Sequence, residues 1–170
     1  MPLHRAHIAL GANLADRAAA IAAAIDALAS HPAIALIAQS SLHDTEPLGP
    51  PDQPRYLNAA VAIDTTLSPH ALIGAMLDIE RALGRDRSAD ALRWGPRTID
   101  LDLLTYADLT LSEPALTIPH PRMHERAFVL APLAEIAPDL IHPVLRRSIA
   151  DLLDAMEHSQ PPPVQSADTP

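Results

Sequence analysis

The apolar and polar positions of this chain follow two different periods, which divide it into strands and helices. Period-two alternation and short apolar runs bounded by turn residues predict four strands. These strands cover residues 7–10, 34–42, 56–66 and 99–104. Apolar residues at helical spacing predict two helices. One covers residues 14–28 and ends at His31-Pro32, and the other begins after the N-cap Ser68 and ends at Gly84.

The C-terminal half of the chain shows a less regular pattern. Residues 114–121 are predicted to be irregular, and two further helices are predicted over 125–136 and 148–158. The Pro-rich polar composition that follows predicts a single domain over 1–158 and a disordered tail over 159–170. The order strand–helix–strand–strand–helix–strand predicts an α+β fold, in which helices cover one face of a mainly antiparallel sheet.

Two acidic residues alternate with aliphatic residues on the fourth predicted strand. Side chains two residues apart on a strand point to the same face and lie about 6.6 Å apart. Asp100 and Asp102 therefore project side by side, while Ile99, Leu101 and Leu103 anchor the other face in the core. Two Mg²⁺ ions about 3.5–4 Å apart fit between such carboxylates. An Asp-x-Asp pair also occurs on solvated strand faces, so the pattern alone leaves both interpretations open.

The segment before that strand is rich in arginine. Residues 81–97 contain five arginines and two aspartates, an excess of three positive charges in a chain whose net charge is −9. Arg97 directly precedes the acidic strand, and Trp94 is the only tryptophan. Carboxylates beside arginines indicate a site for a metal-bound polyphosphate. The alternative interpretation is a loop whose exposed charges serve solubility.

The composition excludes several kinds of chemistry. The chain has no cysteine, and all twelve of its basic residues are arginine. It therefore has no disulfide, thiolate zinc site, cysteine nucleophile, Schiff-base lysine or lysine-dependent phosphate loop. The negative net charge argues against general nucleic-acid binding, and no apolar run approaches the ~20 residues of a membrane span. The N-terminus lacks a secretory apolar segment, so we expect a cytoplasmic protein.

A few other side chains are candidates for binding a flat heterocycle or a phosphate. Tyr56 and Asn58 face the same side of the third strand, where tyrosine can stack on a ring and asparagine offers both a donor and an acceptor. A strand-end pair that bonds nearby loop backbone is an equally good explanation of these two. His120, between two prolines, and Arg126 are candidates for phosphate contact, whereas Phe128 by default belongs to the core.

Residues 93–104 resemble the signature of the 6-hydroxymethyl-7,8-dihydropterin pyrophosphokinase family of folate biosynthesis. They read Arg-Trp-Gly-Pro-Arg-Thr-Ile-Asp-Leu-Asp-Leu-Leu. Other segments resemble the family in the same order along the chain, namely 11–14, 45–49, 56–60, 79–80, 84–85, 118–123 and 126–128. The resemblance implies a ferredoxin-like α+β fold. It also implies transfer of diphosphate from ATP to the hydroxymethyl oxygen of the pterin, with release of AMP.

The resemblance further implies roles for individual residues. Asp100 and Asp102 would hold two Mg²⁺ ions that bridge the ATP phosphates. Arg85 and Arg97 would act with them in catalysis. The residues that the resemblance implies for ATP are Glu80, Arg87, Trp94, Leu103, Thr117, His120 and Arg126. Those implied for the pterin are Thr45, Pro47, Leu48, Tyr56, Asn58, Trp94 and Phe128.

The partners expected from the resemblance are the small molecules ATP and hydroxymethyldihydropterin. We expect no nucleic-acid or membrane partner, and a monomeric state. Two other activities stay open at this point. A metal-dependent phosphohydrolase would use the same carboxylates with water as the nucleophile. A non-catalytic nucleotide-binding module would bind without needing Asp100.

Overall fold

The structure is a computed structural model that describes residues 2–47, 52–84 and 98–159. Its elements, in chain order, are β1 (His4–Ala12), α1 (Arg17–Ser30), β2 (Ile34–Gln39), β3 (His43–Thr45), β4 (Tyr56–Thr65), α2 (Pro69–Ala82), β5 (Asp100–Tyr106), β6 (Leu111–Glu113), β7 (Leu116–Ile118), a 3₁₀ turn (Met123–Glu125), α3 (Ala127–Ile136) and α4 (Ile149–Ser159). None of the helices in these ranges has the length and apolar character of a membrane span.

The main sheet is antiparallel, with the strand order β2-β4-β1-β5 and with β3 paired to β4. The central strand β1 places Leu10 opposite Ala59 of β4 and Leu101 of β5. β2 and β3 follow each other along the same edge of β4. The chain order β1-α1-β2-β4-α2-β5 in this sheet is ferredoxin-like, which confirms the predicted fold class.

Helices cover both faces of the sheet, so the prediction that they cover one face was wrong. On one face, α1 and α2 contribute residues such as Leu28 and Leu72 to the larger core. On the other face, α3 and α4 contribute Leu133 and Leu152 to a second core. The physical reason lies in β4, where residues 59–63 are all buried. A strand with an unbroken apolar run needs cover on both of its faces.

Local sequence determines where the first two helices begin and where α2 ends. The Asp16 side chain accepts the Ala19 N–H at 3.0 Å and caps α1. The Ser68 side chain accepts the Ala71 N–H at 3.3 Å and caps α2, as predicted. Just after α2, Gly84 has a φ of +85°, a conformation that glycine adopts without a Cβ penalty. The predicted end of that helix is thereby confirmed.

The second predicted strand is divided into β2 and β3. The Ser40 N–H donates to the Ala60 carbonyl, and Ser40 Oγ accepts the Ala60 N–H, so a side chain replaces a backbone group in the ladder. The next pair in register is His43 opposite Asn58. Three steps along this edge therefore match two steps along β4, which is a β-bulge that leaves Ser41 outside the strands.

A short hairpin occupies part of the segment that was predicted to be irregular. β6 pairs antiparallel with β7, with Ser112 opposite Thr117. Three-residue strands carry too few positions for a period-two pattern to be recognised, and Pro114 lies in the turn between them. The hairpin brings the following loop back to the main sheet, where the backbone N–H of His120 donates to the Leu104 carbonyl at 2.8 Å.

Candidate functional site

A cavity of about 230 Å³ lies between the sheet and the beginning of α3. We call it the first cavity. Strands β1, β3, β4 and β5 all contribute to its lining, together with the loop after β7 and the first turn of α3. The residues predicted from the sequence that it brings together are Thr45, Tyr56, Asn58, Asp100, Asp102, His120, Arg126 and Phe128.

Small residues of β1 form part of the cavity lining. Ala9 and Gly11 alternate along the strand with the buried side chains of Ile8 and Leu10. A Cβ at Gly11 would lie only 3.3 Å from Oδ1 of Asn58, closer than most Cβ contacts. The missing side chain therefore leaves space beside the Asn58 amide for a ligand.

The Asn58 side chain is held in one orientation. It is 6% exposed, and its Nδ2 donates to Thr45 Oγ1 at 2.6 Å across the β3–β4 pair. Because the amide nitrogen is directed to Thr45, the amide oxygen is directed to the side of Gly11. Asn58 thus offers an acceptor oxygen toward the first cavity.

The two acidic residues of β5 occupy one face of the strand, as the alternation predicted. Asp100 and Asp102 are half-buried and both line the first cavity. Leu101, between them, faces the core, and its N–H donates to Oε1 of Glu80 at 2.7 Å. Glu80 is 1% exposed and lies on α2, so it supports this stretch of β5 from the opposite face.

The pKa of His120 lies well below 7, so its ring is neutral and carries one N–H. Burial, reinforced by the positive charge of Arg126, lowers the pKa of His120 to about 4, although Asp100 opposes this shift. Nδ1 of His120 accepts the Arg122 N–H at 3.2 Å. In the neutral ring the proton therefore sits on Nε2, which can donate to an oxygen of a ligand.

Arg126 brings a positive charge to the same cavity. Its guanidinium carbon lies 5.8 Å from the centroid of the Phe128 ring. Its Nε is buried and has no hydrogen-bond partner within the described part of the protein. A buried donor without a partner is costly, and an anionic group bound in the cavity would satisfy it.

A second cavity of about 410 Å³ adjoins the first. It is lined by apolar residues of α2, by β5 including Leu103, and by the β6–β7 hairpin including Thr117. Asp102 and His120 line both cavities. The carboxylate and the imidazole therefore stand at the junction of two binding spaces, so a group that leaves one ligand for another could pass between them.

The carboxylate pair has the donor set that Mg²⁺ prefers. Magnesium is commonly held by one or two carboxylates, with waters and substrate phosphates completing six oxygens. Asp100 and Asp102 supply two such groups beside a cavity. Within residues 2–47, 52–84 and 98–159, no cluster of three or more His, Cys, Asp or Glu side chains forms a self-sufficient metal site. The pair therefore fits Mg²⁺ that arrives with a phosphate ligand.

Some residues implied by the resemblance do not line either cavity, and others lie outside the described residues. Glu80 is in the core beneath β5, and Pro47 is half-buried but does not line the first cavity. The others of this group lie outside the described residues: Leu48, Arg85, Arg87, Trp94 and Arg97.

The sequence did not single out several lining residues as part of the site. These are Ala9, Leu10, Gly11, Glu46 and Val129. The signal for two of them was present, because Ala9 and Gly11 alternate with large apolar residues and so mark the less filled face of β1. Glu46 and Val129 enter the site through the pairing of β3 with β4 and the docking of α3, which no local pattern shows.

A family model, 7,8-dihydro-6-hydroxymethylpterin-pyrophosphokinase (HPPK), matches residues 7–138. The chain belongs to this family. The match includes every residue of both cavities, from Ala9 to Val129. The family assignment made from residues 93–104 and the weaker motifs is thereby confirmed.

Curated relatives share the HPPK assignment at high identity. The chain is 52% identical over 137 residues to 2-amino-4-hydroxy-6-hydroxymethyldihydropteridine pyrophosphokinase of Methylorubrum extorquens, with 81% of this chain and 85% of the relative covered. It is 49% identical over 138 residues to the protein of the same name from Pseudomonas aeruginosa, with coverage of 81% and 83%.

Solved HPPK-containing structures share the fold. The crystal structure of Plasmodium falciparum HPPK-DHPS with pteroate superposes with a TM-score of 0.71 at 17% identity, over 91% of this chain and 42% of that one. A crystal structure of HPPK-DHPS in complex with substrates gives 0.71 at 14% identity, over 93% and 44%. This chain thus spans less than half the length of those two proteins.

Proposed function

We propose that this protein transfers diphosphate from ATP to the hydroxymethyl group of 6-hydroxymethyl-7,8-dihydropterin and releases AMP. Membership of the HPPK family supports the reaction class. The observation that carries the proposal at the level of this chain is the pair of adjoining cavities that share Asp102 and His120. A transfer between two bound substrates needs two spaces that meet at the acidic and donor groups, which a single nucleotide pocket would not provide.

The first cavity suits the pterin. Tyr56 and Phe128 supply aromatic surfaces for a flat ring, and the Asn58 oxygen supplies an acceptor for a ring N–H or amino group. Gly11 leaves space for the ring edge. A heterocycle bound here would direct its substituent to the Asp100–Asp102 side of the cavity.

The second cavity suits ATP. Its apolar side, formed by α2 and β5, can cover a base, and Thr117 on β7 adds a hydroxyl. The triphosphate would then extend toward Asp102 and His120, and Arg126 lines the first cavity together with these two residues. Arg85, Arg87, Arg97 and Trp94 lie outside the described residues, and their contacts with the phosphates stay predictions from the resemblance.

The carboxylates would hold two Mg²⁺ ions delivered with ATP. When bound, the ions neutralise charge on the phosphates and hold the chain of phosphates in place. The protein's own residues then align the reactants. The nucleophile is an ordinary alcohol, so the rate depends mainly on holding it in line with the β-phosphorus. The neutral His120 donates to a phosphate oxygen, and Arg126 balances negative charge.

A nucleotide assay tests this function directly. The protein is incubated with Mg·ATP, with and without the reduced hydroxymethylpterin, and the nucleotides are resolved by chromatography. We expect AMP to form only when the pterin is present. Formation of ADP, or phosphate release without pterin, would instead identify a phosphohydrolase. Nucleotide binding without turnover would identify a binding module, and either result would overturn the proposal.

The oligomeric state and the cellular location complete the proposed function. We propose a monomer, because the described residues that line the two cavities all belong to one chain. We also propose a cytoplasmic location, where ATP is available as a substrate. Sedimentation equilibrium tests the monomer, since a mass near twice the chain's 18.1 kDa would contradict it. Fractionation of cells that express the full protein tests the location.

A further inference from the structure

A polar cluster outside both cavities joins β3 to α3. Glu135, near the end of α3, accepts three hydrogen bonds. Its Oε2 accepts the Ser41 N–H at 2.7 Å, and its Oε1 accepts the Ser41 hydroxyl at 2.6 Å and Nε2 of His43 at 2.6 Å. We call these three residues the clamp. Since the ionised carboxylate only accepts, His43 carries its proton on Nε2.

The clamp exists because of the bulge between β2 and β3. Ser40 ends the regular ladder, and the extra residue in this edge frees the backbone N–H of Ser41 from pairing with β4. That N–H and the adjacent hydroxyl donate to the helix instead. The strand then resumes at His43, which is opposite Asn58.

The clamp lies in register with the walls of the first cavity. On β3, His43 and Thr45 are two residues apart and share a face, about 6.6 Å from each other. On α3, Glu135 and Phe128 are seven residues apart and share a face, about 10 Å from each other. The strand and the helix are joined at the clamp, and Thr45 and Phe128, farther along the two elements, line the cavity.

The helix needs such a contact because its own first turns are weakened. Pro132 lies inside α3 and has no N–H, so it cannot donate to the Phe128 carbonyl. The part of α3 that carries Phe128 thus lacks one helical hydrogen bond. Its position against β3 depends more on side-chain contacts than it would in a regular helix.

We propose that Glu135, through Ser41 and His43, is a positioning residue that sets the distance between Thr45 and Phe128, and so the width of the space for the pterin. This rests on the proposed function of the first cavity. None of the three clamp residues lines either cavity, and the residues Leu103 and Thr117 of the second cavity belong to other elements. Loss of the clamp should therefore raise the KM for the pterin without raising the KM for ATP.

The test is steady-state kinetics of Glu135→Ala with each substrate varied in turn. We expect the KM for the pterin to rise about fivefold to tenfold, because the two walls of its cavity are no longer tied together. The KM for ATP should change by less than about twofold. Glu135→Gln keeps one acceptor oxygen for Ser41, so its KM for the pterin should lie between the values of the wild type and of Glu135→Ala. A carboxylate with a merely structural role would not require this order.

The matched control is Asp64→Ala. Asp64 forms a two-bond ion pair with Arg5, at 2.6 and 3.2 Å, at the opposite end of β4, and its side chain is 19% exposed compared with 38% for Glu135. We expect no change in either KM. Two outcomes would show that the clamp has no positioning role. In the first, Glu135→Ala raises the KM values for the pterin and for ATP alike. In the second, Glu135→Ala changes thermal stability as much as Asp64→Ala does, while its KM for the pterin is unchanged.

A double-mutant cycle measures the coupling between His43 and Glu135. His43→Ala combined with Glu135→Ala should raise the pterin KM less than the product of the single effects, since both remove the same contact. Multiplicative effects would contradict the proposal. Absence of pterin-dependent AMP formation in the wild-type protein would refute the proposed function itself, whereas wild-type activity with an unaltered Glu135→Ala would refute only the clamp.

Discussion

The missing side chain of Gly11 determines how closely a ligand can approach Asn58. A Cβ at this position would lie 3.3 Å from Asn58 Oδ1 and 3.8 Å from Tyr56 Cδ1. Gly11→Ala should therefore push the amide away from its position and raise the KM for the pterin about threefold or more. Steady-state kinetics with the pterin varied measures the effect.

Gly74→Ala is the matched control for that substitution. Gly74 lies inside α2, and a Cβ there would have no atom within 4 Å. We expect unchanged kinetics and a gain of about 1 kcal/mol in the free energy of unfolding, because alanine favours the helix over glycine. An equal rise of the pterin KM in both variants would show that the effect at Gly11 is not local.

Asp102 stands where the two cavities meet. In the proposed reaction its contribution to turnover depends on the charge of the carboxylate more than on its shape. Asp102→Asn keeps the volume and removes the charge that would hold Mg²⁺ with the phosphates. We expect turnover to fall about 10³-fold or more, with a melting temperature within about 2 °C of wild type. AMP formation and thermal unfolding measure the two quantities. Asp108→Asn, in the exposed turn after β5, should alter neither.

At this scale the sequence predicted directions better than contacts. Alternation placed Asp100 and Asp102 on one face, and it paired Tyr56 with Asn58 on another strand. All four line the first cavity. Glu80 shows the limit: its spacing of four from Met76 puts it on the apolar stripe of α2, yet only the docking of α2 against β5 reveals the N–H that it accepts.

Glu80 also connects two elements, which makes it a test of how α2 supports β5. Glu80→Ala would leave the buried N–H of Leu101 without an acceptor. We expect the free energy of unfolding to fall by about 2–3 kcal/mol. Glu80→Gln retains an acceptor and should lose less. Chemical denaturation measures both values.

The control for this prediction lies on the same helix. Asp78 pairs with Arg81 at 2.8 Å on the surface of α2, and both side chains are mostly exposed. Asp78→Ala should change the free energy of unfolding by less than about 0.5 kcal/mol. A loss as large as that of Glu80→Ala would mean that α2 responds to any removed carboxylate, and not to the missing bond to β5.

The elements themselves were predictable where their patterns were long. The helices α1 and α2 and the strands β4 and β5 were found because caps, periodicity and turn residues agree. The cover on both faces was missed although residues 59–63 form an unbroken apolar run, which alternation cannot assign to one face. The β6–β7 hairpin was missed because three-residue strands hold too little pattern.

For the molecule as a whole, the site depends on contacts between segments that are distant in the chain. His120 reaches β5 through a bond from its N–H to the Leu104 carbonyl, and Asn58 reaches Thr45 across the β3–β4 pair. No local pattern encodes either distance. The family resemblance predicted which residues belong to the site, whereas the register of the sheet explains why these residues lie close together.

Acid should destabilise the whole fold before its carboxylates titrate. His7 is 4% exposed, its Nδ1 lies 2.8 Å from Thr105 Oγ1, and burial lowers its pKa from 6.5 to about 4. Between these values the unfolded chain binds a proton at His7 and the folded protein does not. Unfolding therefore takes up a proton, so stability is complete above about pH 6.5 and falls as the pH decreases. His120, whose pKa is also lowered to about 4, acts in the same direction.

The free energy of unfolding, measured by denaturation between pH 6.5 and 5, should fall by about 1–2 kcal/mol on account of His7. His7→Gln should reduce that slope, because glutamine does not titrate. Thr105→Val removes the hydrogen-bond partner but leaves His7 buried, so it should lower stability at every pH while the slope persists. A wild-type slope that His7→Gln leaves intact, or that Thr105→Val abolishes, would mean that burial of His7 is not its cause.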